Sequence, residues 1–177
     1  MPTYVVFLRA VNLGPTRRFP AADIVAAVQA AGGTDVATYI NTGNVRVRLP
    51  LRSRARVEQA LERAFAADRG FEVPTIVVTP ADLRAIADDV AELGDGHDGR
   101  HYVSLLKETG TAEGREVLEQ VGGDGQRAVV RGRAVHLLLG ADYRSATLTN
   151  AAVEKHLGVA TNRNAAVLTK LACMWGG

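Results

Sequence analysis

The residues of this chain best equipped for chemistry are arginines and asparagines gathered at turns and element ends. They fall into three groups. Arg9 and Asn12 follow the first strand pattern, and Asn41, Thr42 and Asn44 surround the glycine of N-T-G-N. Arg144, Asn150, Asn162, Arg163 and Asn164 lie toward the C-terminus. A guanidinium presents a planar fork of donors that matches phosphate or carboxylate, and carboxamides can bond a base, a sugar or an amide. Arg46 belongs to the same set of anion candidates. Asn164 falls near an expected helix start, where exposed N–H groups favour negative charge. Each asparagine has a structural reading as well, because hairpin tips and helix starts use Asn for their own hydrogen bonds.

Catalytic sets are thinner. No G-x-S-x-G elbow supports a nucleophilic serine. Gly122-Gly123-Asp124-Gly125 follows a helix pattern and precedes a strand, the wrong setting for a phosphate or dinucleotide loop. Ser145 and Tyr39 are hydroxyls that could assist a reaction, but no general base accompanies them. His97 and His101 stand four apart within GDGHDGRH, a glycine-rich loop rather than a helix, so no metal set is expected. His136, in an apolar strand, and His156, at a helix end, read as structural, and Asp88-Asp89 reads as a solvated helix surface. The single Cys173 excludes an internal disulfide and a cysteine metal cage; within an apolar helix pattern it reads as a buried thiol. No catalytic residue, cofactor or metal is assigned.

The elements that must position these residues are legible from periodicity. Tyr4–Val11 is almost continuously apolar, as a strand buried on both faces would be. Ala21, Ile24, Val25, Val28 and Ala31 share one helical face after Pro20. Val36-x-Thr38-x-Ile40 and Val45-x-Val47-x-Leu49 flank Asn41–Asn44 as a hairpin, with Asn and Gly supplying positive φ. Ser53 caps a second helix with the stripe Val57, Ala60, Leu61, Ala64 and Phe65, and Phe71–Thr79 reads as a strand. This β-α-β-β-α-β order is that of the ferredoxin-like unit, whose first and third strands are central.

The second half opens on Thr79-Pro80-Ala81-Asp82, a helix start, with Leu83, Ile86, Ala87 and Val90 as the buried stripe. A strand over His101–Leu106, a helix over Thr111–Val121 and a hairpin of Ala128–Arg131 with Ala134–Leu139 around Gly132 come next. Helices over Ser145–Leu157 and Asn164–Trp175 complete the chain. The fold class is therefore α+β in two subdomains: 1–80, ferredoxin-like, and 81–177, a related α/β unit containing a hairpin and C-terminal helices. The second half repeats the strand, helix, hairpin, helix order of the first.

Composition sets the outer bounds. At 177 residues, 47% hydrophobic and 23% charged, the chain can bury a core. Net charge is +2, too low for a nucleic-acid footprint, and the third strand offers Arg46 and Arg48 without stacking aromatics, so nucleic acid is disfavoured as a partner. No apolar run approaches membrane-spanning length and no charged leader precedes the first strand, so the expected location is the cytoplasm.

Phe7-Leu8-Arg9-Ala10-Val11-Asn12, Thr38-Tyr39-Ile40-Asn41-Thr42-Gly43-Asn44-Val45, Leu148-Thr149-Asn150, Thr161-Asn162-Arg163-Asn164 and Thr169-Lys170-Leu171 resemble the bacterial domain-of-unknown-function family 1697, in order and spacing over nearly the whole chain. The resemblance implies a compact α+β protein of two subdomains, the first ferredoxin-like, and carries no established activity. Leu13-Gly14-Pro15 replaces a double glycine expected after Asn12, Thr42 stands where serine is commoner, and Ala165 replaces an aromatic after the final Asn-Arg-Asn. If that aromatic stacks on a ligand in relatives, stacking is lost here. The expected function is a small binding module for an anionic or nucleotide-like ligand at a polar cleft between the subdomains. The alternatives are a small enzyme acting on a phosphorylated or carboxylated metabolite, and a self-associating structural protein.

Overall fold

The computed structural model describes residues 1–123 and 125–177; Asp124, part of the break expected after Val121, lies outside them. By contact density the chain divides into one unit of Met1–Leu83 with Trp175–Gly177 and another of Arg84–Met174.

In the first unit the β-branched and aromatic run becomes β1 (Thr3–Leu8), buried from Tyr4 to Leu8. Then come α1 (Ala21–Ala30), β2 (Thr34–Tyr39), β3 (Asn44–Arg48), α2 (Arg54–Arg69) and β4 (Thr75–Val78). The strands form an antiparallel sheet in the order β2-β3-β1-β4, so β1 and β3 are its inner strands. Tyr4, Val6, Leu8, Val45 and Val47 pack with Ile24 and Val28 of α1 and Val57, Leu61 and Phe65 of α2. Each such burial contributes roughly 1.5–3 kcal/mol. Phe19 meets Phe65 edge to face at 5.3 Å. Helix α2 also blunts the sheet edge: Glu58 and Glu62 accept the Val77 and Thr75 N–H groups at 3.1 and 2.9 Å, satisfying donors that an exposed edge would leave open.

Helix α3 (Pro80–Gly94) starts on a reciprocal cap, in which Asp82 accepts from Thr79 N–H and Thr79 Oγ1 accepts from Asp82 N–H. The second unit continues with β5 (Arg100–Leu106), α4 (Ala112–Gln120), β6 (Gln126–Arg131), β7 (Ala134–Leu139), α5 (Asn150–Leu157), β8 (Ala160–Asn164) and α6 (Ala165–Trp175). Its sheet order, β6-β7-β5-β8, repeats that of the first unit strand for strand. Leu106, Leu118, Val135, Leu137, Leu139, Val153 and Leu157 form its core. No helix among the described residues is long and apolar enough to cross a membrane.

Three expectations need correction. Asn162 and Arg163 lie in strand β8 rather than in a loop joining two helices, and Asn164 ends that strand instead of opening the last helix; among the described residues β8, at the sheet edge, pairs with β5, and its A-T-N-R-N sequence shows no apolar alternation. The first C-terminal helix begins at Asn150 rather than Ser145, because Tyr143–Ser145 form a separate 3-10 turn. Cys173 is exposed, on the outward side of α6 from Leu168, Leu171 and Trp175.

Candidate functional site

The sheet geometry gathers the first candidates at one end of β1 and β3. Phe7 pairs with Asn44, so Arg9 and Asn12 run on beside the turn Ile40–Gly43. Asn12 adopts positive φ, 57°, which Asn tolerates better than most residues. Its carboxamide donates to Phe19 O at 3.0 Å and Asn41 O at 2.8 Å and accepts from Phe19 N–H at 2.8 Å. Asn44 is fully buried and donates to Tyr39 O and to Thr42 Oγ1. Both asparagines thus serve the backbone of their own loops, the structural reading. Positive φ in the turn falls at Ile40 and Gly43, not at an asparagine. A side chain on Gly43 would meet Leu8 Cβ at 2.7 Å, so the tip lies directly on β1. Asn41 and Thr42 are exposed and Arg9 is half-buried. Arg46 faces Asp35 at 2.8 Å, which occupies a guanidinium counted among the anion candidates.

The C-terminal candidates separate into two places. Asn150 donates to Ala160 O at 3.1 Å, while Asn164 accepts from Ala166 N–H and so caps α6. Arg163 is buried, donating to Thr161 Oγ1 and Asn162 O at 2.8 Å, and desolvation lowers its pKa to about 10. The side-chain oxygens of Asn150 and Asn162 are buried without a hydrogen-bond partner, as is Ser104 Oγ. Ser104 lies directly opposite Asn162 in register, so these oxygens belong to the α5 side of the second sheet.

Arg144 joins a cluster that sequence reading missed. Its guanidinium lies 5.9 Å from the Tyr143 ring centroid, and Arg100 lies 4.9 Å from the same ring, within cation–π range. Hydrogen bonds from Arg144 and then Arg100, with the charge of Arg100, lower the Tyr143 pKa. A pocket of about 290 Å³ opens here, lined by Ala141 to Ser145. Among the described residues no carboxylate forms an ion pair with Arg100 or Arg144. Nothing in the spacing of Arg100 and Tyr143 announces the pair. It arises because Arg100 pairs with Leu139 across β5 and β7, just before the chain turns into the 3-10 segment.

A second cluster occupies the opposite face of the same sheet. His101 Nε2 lies 3.0 Å from His136 Nδ1. Arg131 holds Asp89 and Glu92, and Asp89 lies 4.0 Å from His136 Nε2, so Asp89 is engaged rather than merely solvated. Burial, and then the charge of His101, lowers the His136 pKa to about 4; burial also lowers that of His101. His97 lines a separate cavity of about 480 Å³ with Arg127 and Leu138.

The family described as protein of unknown function (DUF1697) matches residues 1–136 of the chain. The conserved bacterial protein SP0830 from Streptococcus pneumoniae superposes with a TM-score of 0.75 at 17% sequence identity, covering 100% of this chain and 99% of its own. At that identity the likeness is one of fold. No curated protein matches.

Proposed function

The chain belongs to the DUF1697 family of proteins of unknown function, and within it we propose a small binding module for an anionic ligand, held in the second unit by Arg100, Tyr143 and Arg144. The observation that carries this reading is the convergence of two guanidinium groups on one phenol beside an open pocket. Two arginines around a hydroxyl supply planar and directional donors, the set that recognises a phosphate or carboxylate. Asp142 also lines the pocket, so the local charge is one positive in excess, enough for a singly or doubly charged group. The Ser145 hydroxyl donates to Asp142 O at 2.9 Å and shapes the turn rather than the ligand. This reading keeps Arg144 of the sequence candidates and assigns Asn12, Asn44 and Asn164 to loop and cap structure.

The test is a thermal-shift and calorimetric series with inorganic phosphate, a dicarboxylate and nucleoside mono- to triphosphates, each against chloride at equal ionic strength. Wild type gains stability with at least one anion class, and Arg100→Gln with Arg144→Gln abolishes the gain. Anion binding that survives both substitutions sinks the assignment, as does a wild type indifferent to every anion.

A further inference from the structure

We propose that the outer edge of β2 is the surface on which a second copy of this chain docks, joining the first sheets of two molecules antiparallel across a twofold axis. An open sheet edge is a row of unpaired N–H and C=O groups that proteins usually cover or blunt. The other sheet edges are each covered by glutamate from a neighbouring helix. Glu58 and Glu62 take the N–H groups of Val77 and Thr75 in β4, Glu119 takes that of Val130 in β6, and Glu154 takes that of Ala160 in β8. β2 has no such cover. Among the described residues the one side-chain bond to its backbone, from Asn44 to Tyr39 O, lies on the β3 side. Its sequence T-D-V-A-T-Y has no lysine, arginine or proline to keep a neighbouring strand away, and its single charge, Asp35, is held by Arg46 at 2.8 Å.

The register fixes which groups the edge offers. Leu8 N–H donates to Gly43 O while Phe7 stands opposite Asn44, so Val45 turns its N–H and C=O towards β1, and Asn44 and Arg46 turn theirs towards β2. Tyr39 and Ala37, opposite those two, face back to β3. The N–H and C=O of Thr38 therefore point outwards. A second β2, running antiparallel with Thr38 opposite its own copy, satisfies both groups and brings Val36 of each molecule opposite Ile40 of the other. One short segment thus supplies donor, acceptor and apolar pair to itself, as an isologous twofold contact requires, and this self-complementarity singles out a second copy as the occupant. The bulge between Thr34 and Ala37 bounds the pairing segment. Of the exposed large apolar side chains in this unit, Met1, Leu13 and Ile40, two stand at the far end of β2: Leu13 follows Asn12, whose amide holds the Asn41 carbonyl beside Ile40. Ile40 keeps φ at 49°, a strained conformation for a β-branched residue, and the contact with a second copy offsets that strain.

A contact of one strand edge and two apolar pairs is of the small, transient class, so the experiment spans a wide concentration range. Sedimentation velocity follows the mass of the full chain from micromolar to millimolar, and amide hydrogen exchange at Thr38 is followed over the same range. Mass rises from one chain to two, and exchange at Thr38, fast in dilute protein, slows in step, a readout that needs no variant. Ile40→Lys sets a charge against Val36 of the second copy and holds the mass at one chain at every concentration, with an unchanged circular dichroism spectrum. Val117→Lys, at an exposed apolar residue of α4, leaves pairing intact. In dilute protein, where urea unfolding is measured, the copies are apart and each chain carries the Ile40 strain alone. A single-chain mass throughout, full pairing in Ile40→Lys, loss of pairing in Val117→Lys, or a doubled mass with Thr38 exchange unchanged each overturn the proposal.

Discussion

Asn12 bridges two loops that sequence separates by 29 residues: its amide donates to the Asn41 carbonyl at 2.8 Å, while its oxygen takes the Phe19 N–H. Replacing it with alanine strands these groups in a half-buried setting and also puts a residue less tolerant of positive φ at 57°. Asn12→Ala should lower stability by about 2–3 kcal/mol, read as a reduced urea midpoint with an unchanged slope. A midpoint within error of wild type would show that the bridge contributes nothing.

Ile40 is the opposite case. It is β-branched, 48% exposed, and held at φ 49° in the turn, a region that costs such a residue about 1–2 kcal/mol. Ile40→Asn should therefore raise stability by about 1 kcal/mol, and equilibrium urea unfolding measures it. A loss instead would mean that the Ile40 side chain makes a contact worth more than the backbone strain.

Gly43 faces both constraints at once. Its φ is 75°, and an added Cβ would meet Leu8 Cβ at 2.7 Å and Val11 Cγ2 at 2.9 Å, atoms of the rigid inner strand and its extension. Gly43→Ala should destabilise by about 2 kcal/mol or more, whereas alanine at Gly14, also at positive φ but with nothing within 4 Å, should cost about 1 kcal/mol. Equal losses at the two positions would remove the packing part of the argument.

How much the sequence disclosed depended on whether the governing contact was local. The β1 run, the α1 and α2 stripes and the two hairpins carry their periodicity in adjacent residues, so the first sheet has β1 and β3 as its inner strands, as that order implies, while the second sheet has one strand more than the order suggested. β8 was hidden because A-T-N-R-N has neither alternation nor β-branched density, and its pairing partner, β5, is more than fifty residues away. Asn12, Asn44 and Asn164 were legible as polar and ambiguous in role, since a cap and a ligand contact use the same carboxamide. Arg100 and His136 were invisible as site residues. Their partners, Tyr143 and His101, are reached only across β5 and β7, a register that no spacing within either segment encodes.

The His136 environment makes stability fall in mild acid. The ring is fully buried, and burial with the nearby His101 charge brings its pKa from the ordinary 6.5 to about 4. Between these values the unfolded chain takes up a proton that the folded chain refuses, so unfolding is favoured as pH drops. The stability tied to the neutral ring is complete above about pH 6.5 and is lost progressively down to about pH 4. A displacement of this size corresponds to about 3 kcal/mol at most. His101, shifted in the same direction, adds to the same slope. Carboxylates titrate at the acid end of this window too, so the diagnostic quantity is a difference: urea midpoints of wild type and His136→Gln compared from pH 7.5 to 4.5, in metal-free buffer. The wild-type curve should drop more steeply than that of the variant, which has no group to protonate at this position. Parallel curves would mean that the folded protein accommodates a protonated His136 beside Asp89, and the buried ring would then carry no acid sensitivity.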